Sequence, residues 1–182
     1  MGFSVVNRLQ GLRVYLAGAM DRVPDRGTGW RDKITPFLND LNVVVFDPLK
    51  KPGSIGIENE ETHDVKNHLK KVGDYNELSK IMKTIRSVDL RMVDISDFLI
   101  VHLDINTHPC GTFEEIFLAN RQKKPIIVHI EQGKSHCPDW LFGAMPHELF
   151  FDTWDQILRY LAKINTEQHI DTLNNRWCFL NV

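Results

Sequence analysis

The sequence predicts an α/β fold in which helices cover a mainly parallel sheet of about five strands. Four short apolar runs lack polar alternation, which is typical of strands buried on both faces of a parallel sheet. Segments with apolar residues at three- and four-residue steps lie between these runs, as expected for connecting helices. The length of 182 residues predicts a single domain over residues 1–182.

Strands and helices are predicted to alternate along most of the chain. The strands are expected at 13–18, 42–48, 98–104 and 125–130. The helices are expected at 29–41, 75–93, 112–122 and 154–164. Pro36 is expected to interrupt the first helix, because proline removes a backbone hydrogen bond.

Right-handed connections between parallel strands bring the carboxyl ends of the strands to one edge of the sheet. Ligands bind at that edge in sheets of this class. The edge is predicted to contain residues 18–21, 47–48 and 104–115.

Two segments do not follow the alternation. Residues 50–73 are charged and contain Pro52, Gly53 and Gly56, a pattern typical of a lid or binding loop and equally of a mobile connection. Residues 170–182 end in the apolar sequence RWCFLNV, which predicts a tail that docks on its own subunit or on a neighbour.

Composition and charge exclude several classes of function. The chain has 22 Lys and Arg against 24 Asp and Glu, so no broad cationic surface is expected for DNA or RNA. Three widely spaced cysteines argue against a disulfide framework and favour a reducing, cytoplasmic location. No apolar run reaches the length of a membrane span, and no signal peptide is expected at the N-terminus.

Glu114 and Glu115 lie where a predicted strand passes into a helix, and two interpretations apply. Thr112 and Glu115 have the spacing of a capping box, in which the glutamate only satisfies a backbone N–H. Alternatively, Glu115 in the first turn leans toward the ligand edge above the small Ala119, where the helix dipole favours an ionised carboxylate. Such a carboxylate can attack a sugar carbon.

An attacking carboxylate requires a second carboxylate as proton donor, as in retaining glycosidases. The segment SVDLRMVDISD offers three, namely Asp89, Asp94 and Asp97. Each of them is equally compatible with a solvated helix residue or a cap.

Other chemistries have weaker support in the sequence. The phosphate-binding pattern GxxxxGK[ST], the dinucleotide pattern GxGxxG and the serine pattern GxSxG are missing. Cys110 beside His108 is an alternative nucleophile at a helix N-terminus. His102 and His129 are interpreted as core residues within strands, and neither a metal nor a cofactor is predicted.

Three stretches of the chain resemble the nucleoside 2-deoxyribosyltransferase family: VYLAGAM, VDLRMVDISDFLIVHLD and GTFEEIFLANRQKKPIIV. The family pattern begins with a strand that ends in glycine. An Asp-Leu pair follows, and then a second strand with an aspartate just before it. The pattern ends with G-x-x-x-E-x-x-x-A at the start of a helix. These positions are occupied by Gly18, Asp89, Leu90, Asp97, Gly111, Glu115 and Ala119. The resemblance covers residues 13–130 and implies a flavodoxin-like or Rossmann-like three-layer sandwich that forms a homodimer or larger homo-oligomer.

The resemblance also implies roles for individual residues. Glu115, and not Glu114, corresponds to the family's nucleophile, Asp89 to the proton donor or shuttle, and Tyr15 to the residue that orients the nucleophile. The remaining residues expected to bind substrate are Gly18, Met20, Asp47, Asp97, Asp104, His108, Gly111 and His147.

The chain departs from the family pattern just before Gly111. The family has a residue there that contacts the 5′ side of the sugar, acidic in nucleoside transferases and serine in monophosphate hydrolases. Pro109 and Cys110 occupy this place, which leaves Asp104, Thr107 or His108 as substitutes. The sequence therefore leaves the choice between nucleoside and 5′-monophosphate open.

The leading hypothesis is an N-deoxyribosyltransferase that moves the sugar of a 2′-deoxynucleoside from one nucleobase to another. A (deoxy)nucleoside 5′-monophosphate N-glycosidase is the alternative within the same chemistry. A nucleotide-binding sensor without turnover is the alternative from another class. All three act on small molecules, either nucleosides or nucleotides with free nucleobases, and not on nucleic acid or membranes.

Overall fold

A five-stranded parallel sheet lies at the centre of the computed structural model, which describes residues 7–21, 23–51, 56, 58–166 and 176–181. The strand order is β2-β1-β3-β4-β5, and every neighbouring pair is parallel. The strands are β1 (Arg13–Gly18), β2 (Val44–Phe46), β3 (Phe98–Leu103), β4 (Ile126–Ile130) and β5 (Phe150–Phe151). The predicted α/β fold is confirmed, and β5, which the sequence did not indicate, has only two residues.

Helices cover both faces of this sheet. They are α1 (Thr28–Asp40), α2 (Glu60–Val72), α3 (Tyr75–Ile95), α4 (Cys110–Arg121), α5 (Asp139–Ala144) and α6 (Trp154–Thr166). Alternate residues of β1 enter two separate cores: Val14 and Leu16 pack with α1 and α6, whereas Tyr15 and Ala17 pack with α3 and α4. The apolar character of most strand residues follows from this burial on both sides.

The predicted interruption at Pro36 is wrong, because α1 runs through it to Asp40. The proline lies near the C-terminal end of the helix, so it removes a single hydrogen bond. The Thr35 hydroxyl donates to the carbonyl of Arg31 at 2.7 Å and adds a hydrogen bond in the same turn. The apolar face of α1, with Ile34 and Leu38, packs into the core and stabilises the helix as a whole.

The interpretation of residues 50–73 as a loop is wrong for their second half, which forms α2. Asn59 caps this helix by accepting a hydrogen bond from the backbone N–H of Thr62 at 2.8 Å. Acidic residues in the first turn, lysines in the last turn and a left-handed Gly73 complete a normal set of helix signals. Helix α2 has few apolar residues, so the apolar spacing that predicts a helix is weak in this segment. Residues 52–55 and 57 lie outside the described residues.

The described part of the predicted tail packs on its own chain. Trp177 is fully buried, and its Nε1 donates to the Tyr160 hydroxyl at 2.7 Å. The Arg176 guanidinium donates to the side-chain oxygen of Asn120 at 2.6 Å and to the carbonyl of Lys124 at 3.1 Å. Residues 170–175 and 182 lie outside the described residues. Within the described residues, no helix has both the length and the apolar character that crossing a membrane requires.

Candidate active site

A cavity of about 340 Å³ opens at the carboxyl edge of the sheet, beside the ends of β1 and β3. The chain order reverses here, because β2 lies on one side of β1 and β3 on the other. This topological switch point is where open α/β sheets form their ligand crevice. The cavity is lined by seven of the predicted site residues: Tyr15, Gly18, Met20, Asp89, His108, Gly111 and Glu115.

Glu115 and Tyr15 form the centre of the site. The Tyr15 hydroxyl donates to Oε1 of Glu115 at 2.6 Å, and both side chains are buried. The pKa of Glu115 is raised to about 8, chiefly by burial; the Tyr15 hydrogen bond acts to lower it and the charge of Asp89 to raise it. This direction runs against the expectation of a carboxylate that is ionised at neutral pH, because burial disfavours the charged form.

The capping-box interpretation of Glu115 is also wrong. Helix α4 begins at Cys110, two residues earlier than predicted, with Pro109 at the N-cap and no side-chain cap. The backbone N–H of Phe113 already donates to the carbonyl of Pro109 at 3.0 Å. Glu115 consequently lies in the second turn of the helix, where its carboxyl faces β1 instead of a free backbone N–H.

Asp89 belongs to a second buried group that the sequence analysis missed. The ammonium of Lys51 lies 2.6 Å from Oδ1 of Asp89 and donates to Oε2 of Glu58 at 2.9 Å. Among the described residues, Oδ1 of Asp89 has no hydrogen-bond partner of ordinary geometry, so the contact with Lys51 is a close ion pair. The pKa of Asp89 is raised to about 6, chiefly by burial; Lys51 acts to lower it and Glu58 to raise it.

Lys51 and Glu58 come from the segment that was interpreted as a lid or a mobile connection. Only 2% of the Lys51 side chain is exposed, because its ammonium lies between the carboxyl groups of Glu58 and Asp89. The Lys51 ammonium also donates to the carbonyl of Gly56 at 2.9 Å. The sequence held one indication that this segment could contribute to the site: its charged residues come directly after the edge residues 47–48.

Arg31 is a buried charged residue next to the candidate site that the sequence did not reveal. Its guanidinium is fully buried beneath the site and donates to the carbonyls of Leu16 at 3.3 Å and Gly18 at 3.1 Å. Its positive charge lowers the pKa of Glu115 and thereby favours the ionised carboxylate. Arg31 lies on α1, where a charged residue is normally expected on the solvent face.

Gly18 lies in close packing at the end of β1. A Cβ atom at this position would lie 3.0 Å from the Trp30 ring and 3.1 Å from the carbonyl of His102. Both distances are shorter than ordinary van der Waals contacts. A larger residue would therefore require the Trp30 ring or the strand backbone to shift by a few tenths of an ångström.

Four other predicted substrate-binding residues do not line this cavity. Asp97 precedes β3 and accepts hydrogen bonds from the backbone and side chain of Arg13, so it lies at the amino edge of the sheet. Oδ1 of Asp47 accepts a hydrogen bond from the backbone N–H of Leu49, and it lies 3.5 Å from Nε of Arg31. We withdraw both from the site.

The other two are Asp104 and His147. Asp104 accepts a hydrogen bond from the Gln132 side chain at 2.6 Å and faces a second cavity. His147 is exposed, and the Lys134 ammonium donates to its backbone carbonyl. The fold places neither of them at the Glu115 cavity, and we withdraw them as well.

No protein-family model matches the sequence, and no curated protein matches it. Solved structures do. A 2-deoxyribosyltransferase from the psychrotolerant bacterium Bacillus psychrosaccharolyticus has a TM-score of 0.57 and 15% identity, covering 87% of this chain and 99% of that chain. A 2-deoxyribosyltransferase from Leishmania mexicana has a TM-score of 0.50 and 17% identity, covering 84% and 97%.

A CMP N-glycosidase from Clostridium botulinum has a TM-score of 0.48 and 17% identity, covering 84% of this chain and 98% of that chain. At such identities, similarity between structures shows the fold and not the activity. The resemblance predicted from the sequence is confirmed at that level: this chain has the fold of the 2-deoxyribosyltransferases.

Proposed function

We propose that the protein is an N-deoxyribosyltransferase that exchanges the base of 2′-deoxynucleosides through a covalent deoxyribosyl–Glu115 intermediate. One observation carries the proposal: the buried Glu115 carboxyl accepts a 2.6 Å hydrogen bond from Tyr15 in the wall of a cavity that also contains Asp89. A volume of about 340 Å³ suits a small molecule. The fold shared with 2-deoxyribosyltransferases supports the same conclusion.

In the first step, an oxygen of ionised Glu115 attacks C1′ of the sugar. The new C1′–O bond forms as the C1′–N bond to the base breaks, through a transition state with oxocarbenium character. Asp89 gives its proton to the departing base, so that the base leaves neutral. Tyr15 holds Glu115 in the attacking position.

In the second step, a nitrogen of the incoming base attacks C1′ and the ester bond to Glu115 breaks. The incoming base loses a proton to Asp89, which restores the starting state of both carboxyl groups. Water attacking in place of the base would release free sugar, so transfer and hydrolysis share the first step.

The protonation of the free protein differs from the form that reacts. At neutral pH the raised pKa of Glu115, about 8, keeps its carboxyl protonated, whereas the pKa of Asp89, about 6, leaves that group ionised beside Lys51. Reaction requires the proton on Asp89. The charge of Asp89 raises the pKa of Glu115, so the reactive arrangement, with the proton on Asp89, is a minor form of the singly protonated pair.

His108 is our candidate for contacting the 5′ side of the sugar. Of the three substitutes offered by the sequence, it alone lines the cavity. The Thr107 hydroxyl donates to the carbonyl of Asp104 at 2.8 Å, and Asp104 faces the other cavity. An imidazole can bind either a 5′-hydroxyl or a 5′-phosphate, so we also consider a 5′-monophosphate N-glycosidase.

We also propose a homo-oligomer, in line with the family resemblance. The described part of the tail does not supply the contact between subunits through Trp177, because this side chain is buried in the core of its own chain. Light scattering of the purified protein tests the oligomer: a monomeric mass contradicts it.

Incubation with a 2′-deoxynucleoside and a foreign base tests the proposed function. A new nucleoside supports transfer. Free base with sugar, or with sugar phosphate when a monophosphate is supplied, supports the N-glycosidase instead. Nucleotide binding without release of base identifies a sensor and overturns both enzymes.

Trapping with a 2-fluoro-2-deoxy nucleoside analogue tests the mechanism. The tryptic peptide 92–121 contains both glutamates, and fragmentation assigns the adduct. We expect it on Glu115. An adduct on Glu114 or on Cys110 contradicts the assigned nucleophile.

A further inference from the structure

A second cavity, of about 230 Å³, lies on the opposite face of the sheet from Glu115. His102 on β3 and His129 on β4 are register partners, so their side chains project next to each other on this face. Glu131 follows His129 by two residues and projects to the same side. Among the described residues, these three form the one group of metal-ligating side chains whose ligand atoms all lie within 4.8 Å of one another.

The distances within this group are close to those of a metal site. Oε2 of Glu131 lies 3.8 Å from Nε2 of His102 and 3.9 Å from Nδ1 of His129. Metal–ligand bonds of about 2.0–2.1 Å in a tetrahedral site separate neighbouring ligand atoms by about 3.4 Å. Glu131 is 55% exposed, so its carboxylate can move the remaining distance.

Hydrogen bonds to the two rings determine which nitrogen atoms carry lone pairs. The backbone of Asp152 is a hydrogen-bond partner of His129, while Nδ1 of His129 lies 2.9 Å from Nδ1 of His102. If Nε2–H of His129 donates to that backbone, its Nδ1 carries a lone pair, which accepts from Nδ1–H of His102. Nε2 of His102 then carries the second lone pair, on the side of the Glu131 carboxylate. A cation bound by Nδ1 of His129 and Nε2 of His102 would replace the hydrogen bond between the two rings.

We propose that His102, His129 and Glu131 bind a divalent transition-metal ion of the Zn²⁺ class, with an open coordination position toward the second cavity. Two imidazole nitrogens and one carboxylate oxygen form a ligand set that suits Zn²⁺, and three protein ligands leave a position for water or another small ligand. The three ligand atoms are Nε2 of His102, Nδ1 of His129 and Oε2 of Glu131, and a cation among them needs only a small movement of the carboxylate. The bond to Asp152 is the outer-shell contact that metal-ligating histidines usually have.

The surroundings of the cluster hold the ligands in place and leave room for a ligand of the ion. The Trp154 ring stacks on His129 with centroids 4.4 Å apart, which fixes the imidazole plane. Asp104 and Trp30 line the same cavity, and the buried Nε1 of Trp30 has no hydrogen-bond partner among the described residues. A donor and a carboxylate are therefore available to a metal-bound water. This site departs from the sequence expectation of a protein without metal, and it does not depend on the proposed transferase activity.

Calorimetric titration of Zn²⁺ into the EDTA-treated full-length protein tests the proposal. We expect one ion per chain, with a dissociation constant in the micromolar range or below. His102→Gln and Glu131→Gln are each expected to weaken binding by at least about tenfold. Glu148→Gln is the matched control, because it removes an exposed glutamate that lies 3.5 Å from a histidine outside the cluster.

Circular dichroism of each variant verifies the fold, and the exposed Glu131 makes its variant the safer of the two. Cobalt(II) provides an independent measurement, since a His₂Glu site gives visible absorption bands that Glu131→Gln changes. Lack of a tight Zn²⁺ site in the wild type overturns the proposal. So does binding that both cluster variants retain, or that the Glu148→Gln control loses equally.

Discussion

The two sides of the second turn of α4 carry the same carboxylic acid in opposite environments. Glu114 has 41% of its side chain exposed and accepts a hydrogen bond from Arg86 at 2.8 Å, which lowers its pKa. Glu115, the next residue, is buried against Tyr15, and its pKa is raised to about 8. One step along the chain separates a surface ion pair from a candidate nucleophile.

Helix α3 repeats this contrast. Asp89 faces the cavity, is buried and has a pKa raised to about 6. Asp94, five residues later, lies on the outside of the same helix and accepts from the Gln122 side chain at 2.7 Å. Desolvation, and not residue type, therefore separates the two carboxyl groups of the candidate site from the solvated ones. Each of the following predictions tests this difference.

The largest expected effect is that of Glu115→Gln. The amide cannot form the ester with C1′, so we expect base exchange to fall by about 10⁴-fold or more. For Glu114→Gln, next to it on the solvent side, we expect a loss below about tenfold, because Glu114 pairs with Arg86 at the surface. Steady-state rates of nucleoside formation measure both. If the two variants lose activity equally, the proposed difference between Glu115 and Glu114 is wrong.

Asp89→Asn is expected to lower the rate by about 10²–10³-fold for substrates with poorly leaving bases, because the departing base loses its proton donor. The loss should shrink with an activated substrate whose base leaves without protonation. Asp94→Asn, on the exposed side of the same helix, provides the control and should retain wild-type rates. A uniform loss across substrates assigns Asp89 to binding and contradicts the donor role.

The dependence of kcat/KM on pH is expected to be bell-shaped, with limbs near the pKa values of about 6 and about 8. Below the lower limb both carboxyl groups are protonated and Glu115 cannot attack. Above the upper limb neither holds a proton for the base. Activity should fall about tenfold per pH unit on each side. A curve that rises through pH 8 and stays level excludes an acid with the assigned pKa.

Tyr15→Phe is expected to lower kcat/KM at neutral pH by about tenfold, since the hydroxyl stabilises the ionised form of Glu115. Without this donor the pKa of Glu115 increases, so the upper limb of the pH profile should move to higher pH. The shift separates a positioning role from a purely structural one. A lower rate with an unchanged profile contradicts the stated role of the hydroxyl.

The last prediction concerns the stability of the fold and not the rate: Glu115→Gln is also expected to stabilise the protein. The raised pKa means that the folded wild type keeps a proton which the unfolded chain releases, so wild-type stability falls as pH rises from about 4 to about 8. Glutamine removes this dependence and should increase the free energy of unfolding by about 3 kcal/mol at pH 7. Thermal melts at pH 5 and pH 7.5 measure the difference. A variant that melts below the wild type at pH 7.5 contradicts the burial argument.

The sequence predicted a considerable part of this site. The resemblance to 2-deoxyribosyltransferases separated Glu115 from Glu114, which helix geometry alone left undecided. Tyr15 and Asp89 were selected in the same way, and the structure brings all three to one cavity. Asp97 was also selected, but it precedes a strand and contacts Arg13 at the start of β1. The amino ends of parallel strands lie away from the ligand edge, so the structure places Asp97 far from the cavity.

What the sequence by itself determined was local. Apolar runs gave the four longer strands, and three- and four-residue spacing gave most helices, because periodic burial leaves a direct pattern along the chain. Only the tertiary structure decided the ion pair of Lys51 with Asp89, the register pair of His102 and His129, and the raised pKa of Glu115. These properties arise from desolvation and from charges contributed by distant segments, and such neighbours exist only once the chain has folded.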